Sequence, residues 1–258
     1  MTPESSAQLC LMSKNILLKI QYDGTNYSGW QSQNNAKAIQ DIVEAALSVL
    51  HKGEKVQLIG CSRTDAGVHA LGYCGNFTTD LTIPGEKFAF ALNPLLPPDI
   101  KIVESKEMPE DFHARYSVKS KTYVYKFYPG TFENPLLRNQ AWHVKGTPDL
   151  DAMNKAAKGF IGTYDFTAFM ATGGYPTTTT RTIFDASVTV DRQGMFTFSV
   201  TGDGFLYNMV RIMTGTVYYA GVGKISPDSI KDIIASKDRK KAGITAPAHG
   251  LYLYKVFY

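Results

Sequence analysis

Apolar and polar residues alternate from Ile16 to Tyr22, with Ile16, Leu18, Ile20 and Tyr22 on one side, a pattern that predicts a half-buried strand ending at the Asp23-Gly24 turn signal. Apolar positions 39, 42, 43, 46, 47 and 50 then recur at helical spacing and stop at Gly53, which predicts an amphipathic helix. Alternation returns in Val56-Gln57-Leu58-Ile59 and again from Tyr73 to Phe77, two strands separated by a polar hinge at 60–70. Pro84 opens a second helix through Phe88, Phe90, Ala91 and Leu92 up to Pro97-Pro98, and Ile100 to Glu104 supplies a fourth strand. The resulting order, β-α-β-β-α-β, is that of a ferredoxin-like unit whose second and third strands are joined by the hinge.

The remaining residues repeat this order more loosely. Val118 to Tyr128 predicts a long strand with Tyr123, Tyr125 and Phe127 on one face, and Ala141 to Lys145 a short one. Asp149-Leu150-Asp151 caps a helix with Leu150, Met153, Ala157 and Phe160 on its apolar face. A hairpin follows, Thr182 to Val190 and Met195 to Thr201, joined by Asp191-Arg192-Gln193-Gly194. Leu206 to Tyr219 and Pro227 to Ser236 read as helices, and Leu251 to Tyr258 as the last strand. The expected fold is therefore α+β: two ferredoxin-like halves, 14–110 and 111–258, forming an extended, mainly antiparallel sheet with helices on one face and a central cleft, preceded by a flexible leader at 1–13.

A chain of 258 residues with 44% hydrophobic content can fill a sizeable core. Its 27 Lys and Arg against 23 Asp and Glu leave a formal charge of +4, an excess that permits a polyanionic partner without demanding one. Basic residues gather at Lys119-Lys121-Lys126 and Lys237-Arg239-Lys240-Lys241, patterns equally typical of a solvated face. Cys10, Cys61 and Cys74 form no Cys-x-x-Cys and leave an odd thiol, which suits a reducing cytoplasm. The Leu9-Cys10-Leu11-Met12 run is too short for a signal peptide, and no apolar stretch is long enough for a bilayer, so no membrane association is expected. Gly202-Asp203-Gly204 lacks the third glycine of a dinucleotide loop, no phosphate-loop motif occurs, and the five histidines are scattered; no metal and no cofactor is expected.

Within the hinge, Arg63 and Asp65 lie two apart, a spacing that points both side chains the same way if the chain is extended. A guanidinium beside Asp65 would lower its pKa and keep it ionised, as suits a nucleophile or an electrostatic stabiliser. Spacing alone fits a structural ion pair in a turn at least as well. Cys61 offers a rival nucleophile, that of a uracil-modifying methyltransferase, although no methyl-donor pocket is evident. A non-catalytic RNA-binding module is a second rival, but the aromatic signature of the common single-strand-binding sheet is missing.

The run Arg63-Thr64-Asp65-Ala66-Gly67-Val68-His69-Ala70 resembles the signature of the TruA-type tRNA pseudouridine synthases, with Ser62 standing where that family usually has Gly. Tyr22-Asp23-Gly24-Thr25-Asn26-Tyr27-Ser28-Gly29-Trp30-Gln31, the block from Ala91 to Ile100, Phe112-His113-Ala114-Arg115-Tyr116-Ser117 and the block from Ala246 to Leu253 are similar to that family in the same order. The resemblance implies that Asp65 is the catalytic carboxylate, paired with Arg63 and, from Gly204-Phe205-Leu206-Tyr207-Asn208-Met209-Val210-Arg211, with Arg211. It implies that Tyr123, in Tyr123-Val124-Tyr125, lies against the target base, that Arg115 binds phosphate and that Leu253 forms an apolar wall. From spacing alone Tyr123 and Leu253 are sheet residues and Arg211 a surface cation. His69 is a candidate base or substrate contact that more simply orders the loop, and Tyr27 and Trp30 either support the site or contact RNA. The implied activity is isomerisation of uridine to pseudouridine at positions 38, 39 and 40 of the tRNA anticodon stem-loop, without a cofactor, by a cytoplasmic homodimer. Attack by the carboxylate at C1′ of ribose or at C6 of uracil is equally compatible with the sequence. Either route requires the target base to leave its stack.

Overall fold

The first half of the chain folds as β1 (Lys14–Tyr22), α1 (Ile39–Leu50), β2 (Ile59–Gly60), β3 (His69–Thr79), α2 (Phe88–Leu92) and β4 (Ile100–Met108). The second half continues with β5 (Ser120–Pro129), β6 (Trp142–Val144), α3 (Leu150–Lys158), β7 (Gly162–Asp165), β8 (Thr180–Val190), β9 (Phe196–Gly202), α4 (Met209–Gly221), α5 (Ile230–Ser236) and β10 (Leu251–Phe257). This computed structural model describes residues 13–258; the leader expected at 1–13, apart from Ser13, and Cys10 lie outside the described residues.

All ten strands belong to one sheet, in the order β4-β1-β3-β10-β5-β9-β8-β7, with β2 on β3 and β6 on β5. Both halves share one arrangement. The fourth, first, third and second strands are neighbours in β4-β1-β3-β2, and the same order recurs in β10-β5-β9-β8. Every pairing is antiparallel except β5 with β6 and β3 with β10. The β3–β10 ladder joins the halves through His69 opposite Tyr252 and Ala70 opposite Leu253. On β1 the alternate residues Ile16, Leu18 and Ile20 are fully buried with Val43 and Leu47 of α1, so the period of two on the strand meets the period of 3.6 on the helix across one core. Asp149 caps α3 as expected, its Oδ1 accepting from the Ala152 N–H at 2.9 Å.

Several elements differ from their sequence pattern for identifiable reasons. Val56 to Leu58 does not join the sheet, because its backbone is satisfied by α1: the Leu58 N–H donates to Glu44 Oε1 at 2.9 Å and Gln40 Nε2 donates to the Leu58 carbonyl at 3.3 Å. β3 starts at His69 rather than Tyr73, which places the end of the hinge inside the sheet. α2 is a single α-helical turn between two 3-10 turns, Gly85–Lys87 and Asn93–Leu95. α4 starts at Met209 rather than Leu206, since Asn208 adopts a left-handed conformation (φ +59°) that excludes a helix before it. The four-residue β7 carries no apolar alternation to announce it.

Candidate active site

The hinge is held by the loop that follows β1. Trp30 N–H donates to the Thr64 carbonyl at 3.3 Å, Gly67 N–H to the Tyr27 carbonyl at 3.2 Å, and the Tyr22 hydroxyl bonds Thr64 Oγ1 at 2.9 Å. Two glycines permit this approach: a Cβ on Gly24 would stand 2.0 Å from the Val68 carbonyl oxygen, and one on Gly29 would stand 2.2 Å from that of Thr64. Tyr27 and Trp30 are buried, Trp30 stacking on Tyr73 at 3.7 Å, so both support the hinge from beneath. The Tyr73 hydroxyl in turn donates to the Ser62 carbonyl at 2.6 Å.

On this support the chain turns at Asp65, whose carbonyl accepts from the Val68 N–H at 3.2 Å. The turn separates the two side chains that an extended chain would align. Arg63 is exposed and forms no ion pair with Asp65, which corrects the expectation that these two residues pair. The cation that does reach Asp65 comes from the other half: Arg211 Nη1 lies 3.5 Å from Asp65 Oδ2, with side-chain exposures of 18% for Arg211 and 28% for Asp65. Arg211 is aimed by two further bonds, Nε to the Ala246 carbonyl at 2.7 Å and Nη1 to Asn208 Oδ1 at 2.7 Å. The sequence patterns did not mark Asn208; its place three residues before an arginine, about one helical turn away, is the signal that could have found it.

Burial raises the Asp65 carboxyl above its ordinary value of 3.8, and the Arg211 guanidinium pulls it down only in part. The lowered pKa expected from two flanking arginines is thus reversed, because only one arginine is in place and desolvation outweighs it.

Tyr123 on β5 is opposite Leu253 of β10 and Val200 of β9, and its ring meets Phe205 edge-on at 5.2 Å. Its hydroxyl is held neutral, chiefly by burial and additionally by the charges that Cys61 and Asp65 would carry. Leu253 is fully buried between Ala70 and Tyr123, so Leu253 and Tyr123 are neighbours on one face beside the hinge. Arg115 is exposed, outside this group, on the loop before β5.

His69 is 2% exposed and fully engaged by protein, which removes it as a substrate contact. Its Nδ1 accepts from the Gly24 N–H at 3.0 Å and stands 3.1 Å from Asp23 Oδ1, Nε2 lies 3.0 Å from the His249 carbonyl, and the ring stacks on Tyr252 at 4.7 Å. The hydrogen bonds assign the neutral tautomer with the proton on Nε2. Burial lowers its pKa, against the opposing pull of Asp23. Cys61 is 1% exposed and burial raises its thiol, conditions that disfavour a thiolate nucleophile. Two surface concavities, of about 480 Å³ beside Gly130 and Gly146 and about 460 Å³ beside His51 and Phe77, do not include any of these groups.

An aqueous-accessible carboxylate beside one guanidinium, flanked by a neutral tyrosine and an apolar wall, can add to an electrophilic carbon of a flat, uncharged ring. Comparison with known proteins points the same way. A family model described as tRNA pseudouridine synthase matches residues 19–117 and 156–258. The tRNA pseudouridine synthase A of Acetivibrio thermocellus is 52% identical over 245 residues, covering 95% of this chain and 100% of that protein. That of Ruminiclostridium cellulolyticum is 51% identical over 245 residues with the same coverage, and the tRNA pseudouridine synthase A 2 of Clostridium tetani is 51% identical over 249 residues, 96% of this chain and 100% of its own. With its hinge, its sheet and nearly its whole length accounted for, the chain belongs to the tRNA pseudouridine synthase family, enzymes that isomerise uridine.

Proposed function

We propose that the protein converts uridine to pseudouridine at positions 38, 39 and 40 of the tRNA anticodon arm, with Asp65 as the nucleophile. The observation that carries this reading is the Asp65–Arg211 pair at 3.5 Å, formed between the two halves and partly open to solvent. In the reaction the N1–C1′ bond breaks, a C1′–C5 bond forms, the C5 proton leaves to solvent and N1 takes one up, so that the product is an isomer of the substrate with no change in oxidation state. Asp65 supplies the attacking carboxylate and Arg211 stabilises its charge before attack. Tyr123 faces the extruded base from the sheet side and presents a neutral hydroxyl near C5, while Leu253, expected to contact the base as an apolar wall, is fully buried and instead packs beside Tyr123 as its support. Arg115 acts outside this pocket, on the RNA backbone, and the exposed Arg63 has the same kind of role.

The division into halves at 14–110 and 111–258, with 60–70 as the catalytic loop, follows from the same reading, since each half contributes one member of the Asp65–Arg211 pair. A homodimer in the cytoplasm is part of the proposal; among the described residues no helix is long and apolar enough to cross a membrane. Release of tritium from C5-labelled uridine in anticodon-arm RNA tests the reading. Wild-type protein releases the label and forms pseudouridine, whereas Asp65→Asn binds the RNA without release. Label release by Asp65→Asn at the wild-type rate would exclude Asp65 as the nucleophile.

A further inference from the structure

The loop between β4 and β5 presents an aromatic group that the chemistry at Asp65 does not use. Tyr116 is 77% exposed, so one face of its ring is free. Its other contacts are flat groups of the same loop: the His113 ring at 4.3 Å between centroids and 31° between planes, and the Arg115 guanidinium 5.8 Å from its centre. The N–H groups of Arg115 and Tyr116 both point at His113 Nδ1, at 3.2 and 3.3 Å.

A buried polar knot fixes this loop from below. The Ala114 N–H donates to Asn76 Oδ1 at 2.8 Å, Asn76 Nδ2 donates to Asn15 Oδ1 at 2.8 Å, and Asn15 Nδ2 donates to the Phe112 carbonyl at 2.7 Å. The Tyr258 hydroxyl donates to the Ala114 carbonyl at 3.0 Å. A single exposed aromatic is ordinary on a protein surface, as Tyr175 and Phe132 also show; what marks Tyr116 is that a flat face is presented from a loop anchored by buried hydrogen bonds and beside cations.

The surroundings define that ligand's charge. Arg115 and Lys119 are exposed, and among the described residues neither they nor Lys121 form an ion pair with a carboxylate. Lys121 lies two residues before Tyr123 on β5, hence on the same face of the strand. Burial lowers the Lys121 pKa and the nearby guanidiniums of Arg115 and Arg181 lower it further, a balance that an added phosphate would relieve. Unpaired positive charge therefore runs from the exposed ring to the strand that carries the base-facing tyrosine.

We propose that Tyr116, backed by His113 and Arg115, is a stacking platform for an unpaired RNA base next to the extruded uridine, with Arg115 and Lys121 gripping the phosphates between the two nucleotides. A flat ring beside cations fits a loop nucleotide, which offers a π-face and a phosphate together. This inference rests on the reading of the protein as an anticodon-arm modifying enzyme.

The test uses anticodon-arm RNA carrying 2-aminopurine at one loop position at a time, titrated with Asp65→Asn protein so that no turnover intervenes. The probe fluorescence changes at a position beside the target uridine. Adding Tyr116→Phe preserves that signal, while adding Tyr116→Ala abolishes it and weakens binding about tenfold. The Tyr116→Ala change leaves the salt dependence of binding unaltered, whereas Arg115→Gln lowers its slope by about one. Because Tyr116 is exposed, thermal melts of these variants overlay that of their parent. If the otherwise wild-type enzyme releases tritium from the same RNA, yet Tyr116→Ala keeps both signal and affinity, the platform is wrong and the function stands. If the RNA neither binds nor reacts, both fail.

Discussion

Asp65 has a raised pKa because it is buried with only one cation beside it, and that sign has two measurable results. As pH falls, activity that needs the carboxylate disappears at a pH above the ordinary carboxylate value of 3.8, and Arg211→Gln moves this acid limb further up, since Arg211 is what opposes the rise. For stability, the folded state binds a proton at Asp65 more tightly than the unfolded state does, so ionisation of Asp65 costs stability as pH rises through the raised pKa. Asp65→Asn is accordingly at least as stable as wild type at pH 7 in thermal melts, and the difference closes at low pH. Asn208 is the positioning residue for Arg211 and is itself in a left-handed conformation. Asn208→Gly keeps that backbone and loses only the bond to the guanidinium, which lowers kcat about tenfold, the effect of one hydrogen bond to a charged group. Asn208→Ala adds backbone strain of about 1 kcal/mol, seen as a lower Tm than that of Asn208→Gly. Wild-type kcat in Asn208→Gly would show that the Ala246 carbonyl alone aims the arginine.

Between elements, the hinge depends on close backbone contact with the loop after β1. Gly24→Ala would place a methyl group 2.0 Å from the Val68 carbonyl oxygen, two rigid backbones with no flexible side chain to yield. The expected cost is about 3 kcal/mol of stability in denaturant titrations, with a fall in kcat larger than any rise in KM, because the displaced hinge carries Asp65. Elements with a strong period were legible from sequence: β1 and α1 appear where alternation and helical spacing place them, since each has one buried face. The same logic failed where side chains replaced the ladder. Val56 to Leu58 alternates, yet Gln40 and Glu44 of α1 take its backbone groups, and the four residues of β7 alternate too little to be seen.

For the molecule as a whole, the joint between the halves is the short β3–β10 ladder, reinforced by His69 stacked on Tyr252 and bonded to His249. Burial lowers the pKa of both His69 and His249. Each therefore protonates more readily in the unfolded chain, and stability that is complete above the ordinary histidine value of 6.5 is lost as pH falls from there through the lower folded values. His69→Phe keeps the stacking but leaves the Gly24 N–H and the His249 carbonyl without their partner. It should lower stability by about 2 kcal/mol at pH 7.5 and flatten the pH dependence of Tm between pH 5 and 7; an unchanged dependence would place the titrating group elsewhere. The sequence by itself determined most of the strands and helices, those with one buried face, because they depend on periods of two and 3.6 read along the chain, and it marked Asp65 and Arg211 through motifs continuous in sequence. Only the tertiary structure decided which arginine meets the carboxylate. Arg63, two residues away, is turned outward by the bend at Asp65, while Arg211, 146 residues away, is brought in from the first turn of α4, which packs on α3 and β5 of its own half, and is aimed by the Ala246 carbonyl and Asn208. Charge pairing and desolvation are set by distance through space, so the sign of the Asp65 pKa shift emerged only once both halves were folded together.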